Sequence, residues 1–431
     1  MIKKHKINIF WFRRDLRLVD NIGLFHALNQ DLPTLPLFIF DSNILNDLDD
    51  KKDRRVDYIH QALEDMNVDL KKFNSSLLIQ QGDPYKVFHE LKKQYDIQSI
   101  YCNEDYEQYG INRDRAIKND FNLIQFKDHV IFRYDEILKK DQTPYTVFTP
   151  YSKQWKAKLN NENYRSYKCN FNNFIKCNFD FPSIELIGFE STSLLFKVPS
   201  IPLDSLTNYS EVRDIPGLDA TTKLSIALRF GTISIRSCVA TAVKENSETW
   251  LNELIWRDFF IQILAHFPKS AYQVFKQKYD AINWRNNEQE FDLWCKGKTG
   301  YPIVDAGMRE LNKTGFMHNR VRMIVASFLC KHLLIDWRWG ESYFAVKLND
   351  YEMASNVGNW QWASSSGCDA TPYFRVFNPT LQQQKFDPNF EYIKRWIPNF
   401  DPSNYIEPIV PHDFARQRAI STYKEGINSF N

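Results

Sequence analysis

Five short apolar runs separated by helical patterns, then a long remainder without a convincing strand, predict two kinds of domain in this chain. Residues 1–133 are expected to form an α/β domain built on a five-stranded parallel, Rossmann-like sheet, because strand–helix alternation covers a sheet on both faces. Residues 201–431 are expected to be all-helical. At 431 residues the chain is also longer than one core usually serves.

The first expected strand is Ile7–Phe12, which stops at Arg13. Leu35–Phe40, Ser76–Gln80, Gln98–Tyr101 and Val130–Arg133 complete the set. Helical patterns lie between them, clearest over Arg54–Phe73 and Pro84–Tyr95. Gly82-Asp83-Pro84 reads as a loop entering a helix with proline near its start. No Gly-x-Gly-x-x-Gly follows the first strand, so a standard dinucleotide site is not expected there. Residues 134–200 are rich in Lys, Asn, Phe, Tyr and Pro and weakly periodic, which predicts a connector with little regular structure. Beyond it, Leu251–Phe267 and Met317–Leu334 carry apolar stripes at helical spacing.

Composition narrows the class. Apolar residues make up 43% and charged residues 25%, as in soluble globular proteins, and no apolar run reaches the roughly 18 residues of a membrane span. Arg13, Arg14, Asp15 and Arg17 interrupt the first apolar stretch, so no secretory leader is expected. Seven scattered cysteines without metal-ligand spacing predict reduced thiols, a cytoplasmic location and no metal. The net charge is only +2, so any nucleic-acid partner needs a local basic surface.

Tryptophan is unevenly placed. Nine of the eleven lie between 250 and 396: Trp250, Trp256, Trp284, Trp294, Trp337, Trp339, Trp360, Trp362 and Trp396. A large core would use them, and so would chemistry based on indole stacking or electron transfer. Polar groups at helical spacing lie among them. Glu253, Trp256, Arg257 and Phe260 share a helix face, either as an exposed ion pair or as a carboxylate beside an indole wall. Asn319, Arg322 and Met323 share another; a buried Arg322 needs a partner, and Asp350-Tyr351-Glu352 offers carboxylates. Ala220–Ser225 reads as a helix start whose hydroxyls and Lys223 suit either capping or phosphate oxygens. Asn356–Gly367 reads as a small-residue loop around two indoles that a flat ligand could approach.

Trp11-Phe-Arg-Arg-Asp-Leu-Arg17, Glu253-Leu-Ile-Trp-Arg257, Lys298-Thr-Gly-Tyr-Pro-Ile-Val-Asp-Ala306, Gly315-Phe-Met-His-Asn-Arg320, Asn359-Trp-Gln-Trp362 and Tyr373-Phe-Arg-Val-Phe-Asn-Pro379 together resemble the photolyase/cryptochrome family, and most closely its bacterial class I photolyases acting on cyclobutane pyrimidine dimers. The resemblance runs from residue 7 to about residue 415. It implies an antenna-binding domain over 1–133, a connector over 134–200 and an FAD-binding catalytic domain over 201–431. It further implies light-driven repair of dimer-containing DNA by electron transfer from reduced FAD, by a protein expected to be a monomer with no membrane partner.

Residue by residue, the resemblance places Tyr209, Thr221, Thr222, Lys223, Leu224 and Ser225 at the FAD phosphates. It places Asp350, Tyr351 and Glu352 at the flavin, Arg322 paired with Asp350 beside the ring system, and Asn356 facing flavin N5. Arg213, Glu253, Trp256, Arg257, Asn319, Arg320, Met323 and Trp362 would meet DNA or the dimer. Glu253 would hydrogen-bond a pyrimidine carbonyl. Trp360, Trp337 and Trp284 would carry electrons to the flavin from the surface. Relatives that repair (6-4) photoproducts carry His where Asn319 and Met323 stand. Plant and animal cryptochromes usually replace the residue at Asn356. The first difference disfavours (6-4) repair, and the second favours dimer repair over the alternative, a flavin light sensor without repair. Asn359 and Glu352 depart mildly from the family pattern. The antenna stays open: Gly110 stands where folate-binding relatives have Glu, with Glu107 and Arg113 nearby, so 5,10-methenyltetrahydrofolate, a deazaflavin or an empty site all remain.

Overall fold

The computed structural model describes residues 4–430; Met1, Ile2 and Lys3 of the basic N-terminus and Asn431 lie outside the described residues. The chain forms two compact units. One comprises Met1–Glu136, Trp155–Ile201 and Lys223–Leu254; the other comprises Ile137–Gln154, Pro202–Thr222 and Ile255–Asn431. This differs from a simple succession of domain, connector and domain, because 137–154 and 155–201 belong to different units and 223–254 belongs with the α/β unit.

The first unit is built on β1 (Lys6–Phe12), α1 (Ile22–Leu28), β2 (Thr34–Asp41), α2 (Arg54–Lys71), β3 (Leu78–Gly82), α3 (Pro84–Gln94), β4 (Asp96–Asn103), α4 (Gln108–Lys118) and β5 (Leu123–Phe126). The strands are all parallel in the order β3-β2-β1-β4-β5. Side chains alternate with the pleat. Phe10, Phe12, Phe38 and Phe40 face one core with Leu63, Met66 and Leu70 of α2. Ile7, Ile9, Trp11, Leu37 and Ile39 face the other with Phe88 and Leu91 of α3. Asp83 caps α3 by accepting from the Lys86 amide, and Pro84 takes the first helical position, where a missing N–H costs nothing.

The fifth strand is not where the apolar run suggested. Val130–Arg133 is irregular; Val130, Ile131 and Phe132 are buried as loop residues, with Phe132 edge-on to Trp155 at 5.3 Å. The segment 134–200 is also more ordered than expected. It holds α5 (Phe148–Lys158) and three 3-10 turns, and Phe174, Ile184, Ile187 and Phe189 anchor it in the core shared with α2. The Trp11–Arg17 motif is structural in this unit. Leu16 N–H bonds to Phe230 O at 3.0 Å, Arg17 pairs with Asp128 at 2.6 Å, and a Cβ on Gly231 (φ +63°) would collide with the Arg14 carbonyl.

The second unit is helical. Its main elements are α6 (Glu248–His266, whose first residues belong to the other unit), α7 (Pro302–Thr314), α8 (Asn319–Ser327), α9 (Trp337–Lys347), α10 (Met353–Ala363) and α11 (His412–Ser429). Val304, Met308, Val321, Val325, Phe344 and Trp360 share one core. The long helix expected over Met317–Leu334 is shorter at both ends. His318 caps it, its Nδ1 accepting from the Arg320 amide at 3.2 Å, so the helix starts at Asn319. A π-helical turn over Phe328–His332 then ends it and places Lys331 in the interior, where Nζ donates to Ser365 Oγ at 2.8 Å. Asn356–Gly367 is not a loop: α10 runs through Ala363. Its Gly358 permits close helix approach, since a Cβ there would stand 2.2 Å from the Phe260 ring.

Candidate active site

Helices α8, α9 and α10 bound a cleft in the second unit. Spacing of three and four residues puts Asn319, Arg322 and Met323 on the α8 face that lines it. Asp350, Tyr351 and Glu352 come from the loop entering α10. Asn356, Trp360 and Trp362 come from α10 itself, and Phe344 comes from α9.

The charges in this cleft are paired. Arg322 donates through Nη2 to Asp350 at 2.9 and 3.2 Å and through Nε to the Met317 carbonyl at 2.7 Å, so its guanidinium is fixed at two edges. Glu352 accepts from Ser355 Oγ at 3.2 Å and lies 3.8 Å from Arg257 Nε, which ties α6 to the cleft. Asn356 donates through Nδ2 to both the backbone oxygen and Oε1 of Glu341, at 3.1 and 2.9 Å. A backbone oxygen can only accept, so the orientation of this amide is determined. Burial raises the pKa of Glu341 above its ordinary value.

The three indoles expected to form an electron route differ in burial. Trp360, in the cleft wall, and Trp337 are buried, whereas Trp284 is half-buried and meets Tyr423 edge-on at 5.8 Å. Trp360 packs so tightly against Gly340 of α9 that a Cβ there would lie 2.1 Å from its ring.

Other expected residues lie outside this cleft's lining. Trp256 stacks on Phe148, with centroids 3.6 Å apart and planes within 3°. Glu253 sits three residues earlier on the same helix. Arg320 pairs with Asp214 at 2.8 Å, and Arg213 lies 3.9 Å from the same carboxylate. Tyr209 is buried at the start of a short helix. Thr221, Thr222 and Lys223 (φ +50°) precede the Ser225–Phe230 helix, whose cap position is Leu224, so their hydroxyls do not cap it. His318, assigned no role from sequence, is the α8 cap, and burial lowers its pKa to about 4. In the α/β unit, Glu107 pairs with Arg14 at 3.2 Å and Arg113 lies over the Trp11 ring at 4.7 Å.

Sequence reasoning missed Glu341, Phe148 and Asp214. Glu341 follows Trp337 by one helical turn and Asp214 adjoins Arg213, so spacing offered a signal for both. Phe148 comes from the supposed connector, and nothing in its neighbours marks it.

Residues 8–167 match the DNA photolyase domain, and residues 250–403 match the FAD-binding domain of DNA photolyase. A deoxyribodipyrimidine photo-lyase of Synechococcus is 36% identical over 97% of this chain and 96% of its own length. The chain belongs to the photolyase/cryptochrome family. Among solved structures, a class III photolyase from Agrobacterium tumefaciens superposes with a TM-score of 0.85 at 31% identity, covering 99% of this chain and 98% of its own. An archaeal photolyase from Sulfolobus tokodaii with two FAD molecules superposes with a TM-score of 0.81 at 34% identity, covering 97% of this chain and 99% of its own.

The cleft suits the ligand of that FAD-binding domain. A flat tricyclic ring with hydrogen-bonding edges needs apolar walls and polar groups at its rim. Phe344, Trp360 and Met323 supply the walls, and the Arg322–Asp350 pair and Asn356 supply the rim. Among the described residues no helix is long and apolar enough to cross a membrane and no side-chain cluster is suited to a metal.

Proposed function

We propose that this chain is a deoxyribodipyrimidine photolyase: a light-driven DNA lyase that splits cyclobutane pyrimidine dimers by means of bound FAD. The observation that carries this reading is that residues of the flavin type and of the substrate type line one cleft. Arg322–Asp350 and Asn356 belong to the first type, and Asn319, Met323 and Trp362 to the second. Asn319 and Met323 stand where (6-4) photolyases carry His, which favours the cyclobutane dimer as substrate.

When bound, reduced FAD would supply the light-driven electron chemistry that opens the cyclobutane ring. The chain's residues bind and orient. Tyr209 and Thr221–Ser225 hold the phosphates of FAD, while Asp350, Tyr351, Glu352 and Arg322 hold its ring system. Arg213, Arg257 and Arg320 hold DNA phosphates without reading sequence. The dimer is flipped out of the duplex at a cost of a few kcal/mol, lower for a damaged site. Trp256 and Trp362 stack on it, and Glu253, as the carboxylic acid, donates a hydrogen bond to a pyrimidine carbonyl. Trp360, Trp337 and Trp284 relay electrons to the flavin; the half-buried position of Trp284, against the buried Trp360 and Trp337, supports its place at the surface end. The protein acts as a monomer in the cytoplasm.

A second, antenna chromophore belongs to the α/β unit. 5,10-Methenyltetrahydrofolate, a deazaflavin and, on the Sulfolobus example, a second FAD are its candidates; the absorption spectrum of the purified protein separates the first two, and the ratio of FAD to protein reveals the third. Illuminating the reduced protein with DNA carrying either a thymine dimer or a (6-4) photoproduct tests the substrate. Loss of the dimer alone supports the proposal. Loss of the (6-4) lesion alone overturns the substrate, and loss of neither overturns repair and favours the alternative, a flavin light sensor.

A further inference from the structure

A cavity of about 440 Å³ in the second unit is lined by three cations, Arg320, Arg375 and Lys385, and by two carboxylates, Glu211 and Asp214, with Phe386 as an apolar wall. Asp214 is the unexpected member. Its carboxylate lies 2.8 Å from Arg320 and 3.9 Å from Arg213, the two cations that the proposed function assigns to DNA phosphates in this region. A surface selected only to attract phosphate would not set a carboxylate between them.

Anchoring does not explain it. Arg320 is already placed by its neighbours: its guanidinium lies 4.3 Å from the Phe386 ring centre, and its backbone N–H is held by His318 Nδ1 at the start of α8. The side chains of the Arg320–Asp214 pair are 18% and 35% exposed, and an ion pair so open to solvent contributes little to stability. Toward an incoming phosphate, by contrast, Asp214 has one clear effect. It repels, and it neutralises part of the charge that releases counterions from DNA.

We propose that Asp214 is a built-in counter-charge that limits the grip of Arg213 and Arg320 on the DNA backbone, so that undamaged duplex, which is also the product of repair, is released quickly. This rests on the reading of Arg320 as a phosphate contact. The partner chemistry is the phosphodiester backbone of duplex DNA, and the residue sets residence time rather than sequence or lesion recognition.

The test uses the full-length FAD-loaded protein and a fluorescently labelled undamaged duplex, titrated from 50 to 200 mM salt. Asp214→Asn keeps the size of the side chain and removes its charge; Asp214→Ser is the second variant. Both are expected to tighten binding about 3- to 10-fold at the low-salt end and to steepen the plot of log affinity against log salt by about 0.9, the slope of one additional neutralised phosphate. Dissociation of the duplex should slow by the same factor. Arg320→Gln should weaken binding and flatten the slope. If Arg320→Gln changes neither, the phosphate reading of Arg320 fails. If Arg320→Gln weakens binding while both Asp214 variants leave affinity and slope unchanged, or weaken them, the counter-charge is refuted and Asp214 is an anchor.

Discussion

Gly340→Ala probes the packing that places Trp360 in the cleft wall. An added Cβ would stand 2.1 Å from Cη2 of Trp360 and 2.6 Å from Cδ2 of Leu329. Carbon atoms pack at about 3.5–4.0 Å, so one side must retreat by about 1.5 Å. Trp360 has no room: it is 2% exposed and wedged edge-on against Phe344 at 5.0 Å and Trp294 at 6.2 Å. If α9 retreats instead, it moves Trp337 and the Glu341 acceptors that hold Asn356. Two terms oppose each other. Replacing glycine inside a helix gains about 0.5–1 kcal/mol, and overpacking a core costs about 1–3 kcal/mol. The collision is deep, so the cost wins by about 1–2 kcal/mol. At about 2–4 °C per kcal/mol for a domain of this size, melting should fall by about 2–8 °C. Flavin fluorescence during heating of the FAD-loaded protein reads the first effect, and flavin photoreduction under steady blue light, expected to slow, reads the second. An unchanged or raised melting temperature with wild-type photoreduction would refute the packing argument.

Trp284→Phe should block photoreduction of oxidised flavin while sparing repair by chemically reduced protein; unimpaired photoreduction would send the electron by another route. Trp362→Ala should weaken binding of dimer-containing DNA about 5- to 150-fold, the equivalent of roughly 1–3 kcal/mol of lost stacking, and leave undamaged duplex nearly unaffected; equal losses would make Trp362 structural. His318 is held neutral by burial, its pKa about 4 in the folded chain against an ordinary 6.5. Its stabilising contribution is therefore complete above pH 6.5 and is lost as the pH falls toward 4. His318→Asn keeps a capping side chain, so denaturation midpoints at pH 7 and pH 5 should differ less in the variant than in wild type. Burial lowers His332 in the same sense, to about 3, so part of the acid sensitivity should persist.

The strands were legible where burial on both faces made a continuous apolar run, as in β1 and β2. β5 was not legible, because Leu123-Ile-Gln-Phe126 is short and interrupted while Val130–Phe132 is apolar but irregular. Charge narrowed the partner of Arg322 to the carboxylates of Asp350-Tyr351-Glu352; the pairing with Asp350 itself came from the family resemblance, and the guanidinium proves half-buried. The course of α10 could not be read, since Gly358 serves close packing against Phe260 and not a turn, and composition does not tell the two uses apart. Phe148, which covers Trp256, and Glu341, which orients Asn356, act through contacts between segments far apart in sequence. Such contacts are set by tertiary packing, which local patterns do not encode.

Light-dependent loss of a defined lesion tests the central claim most directly. The chemically reduced, FAD-loaded protein would be mixed with an oligonucleotide carrying one thymine dimer, then sampled by chromatography in the dark and after graded doses of blue light. The proposed function predicts intact thymines appearing in proportion to absorbed photons and none in the dark. Bound dimer DNA that stays unrepaired at every dose, with the flavin reduced throughout, would contradict it.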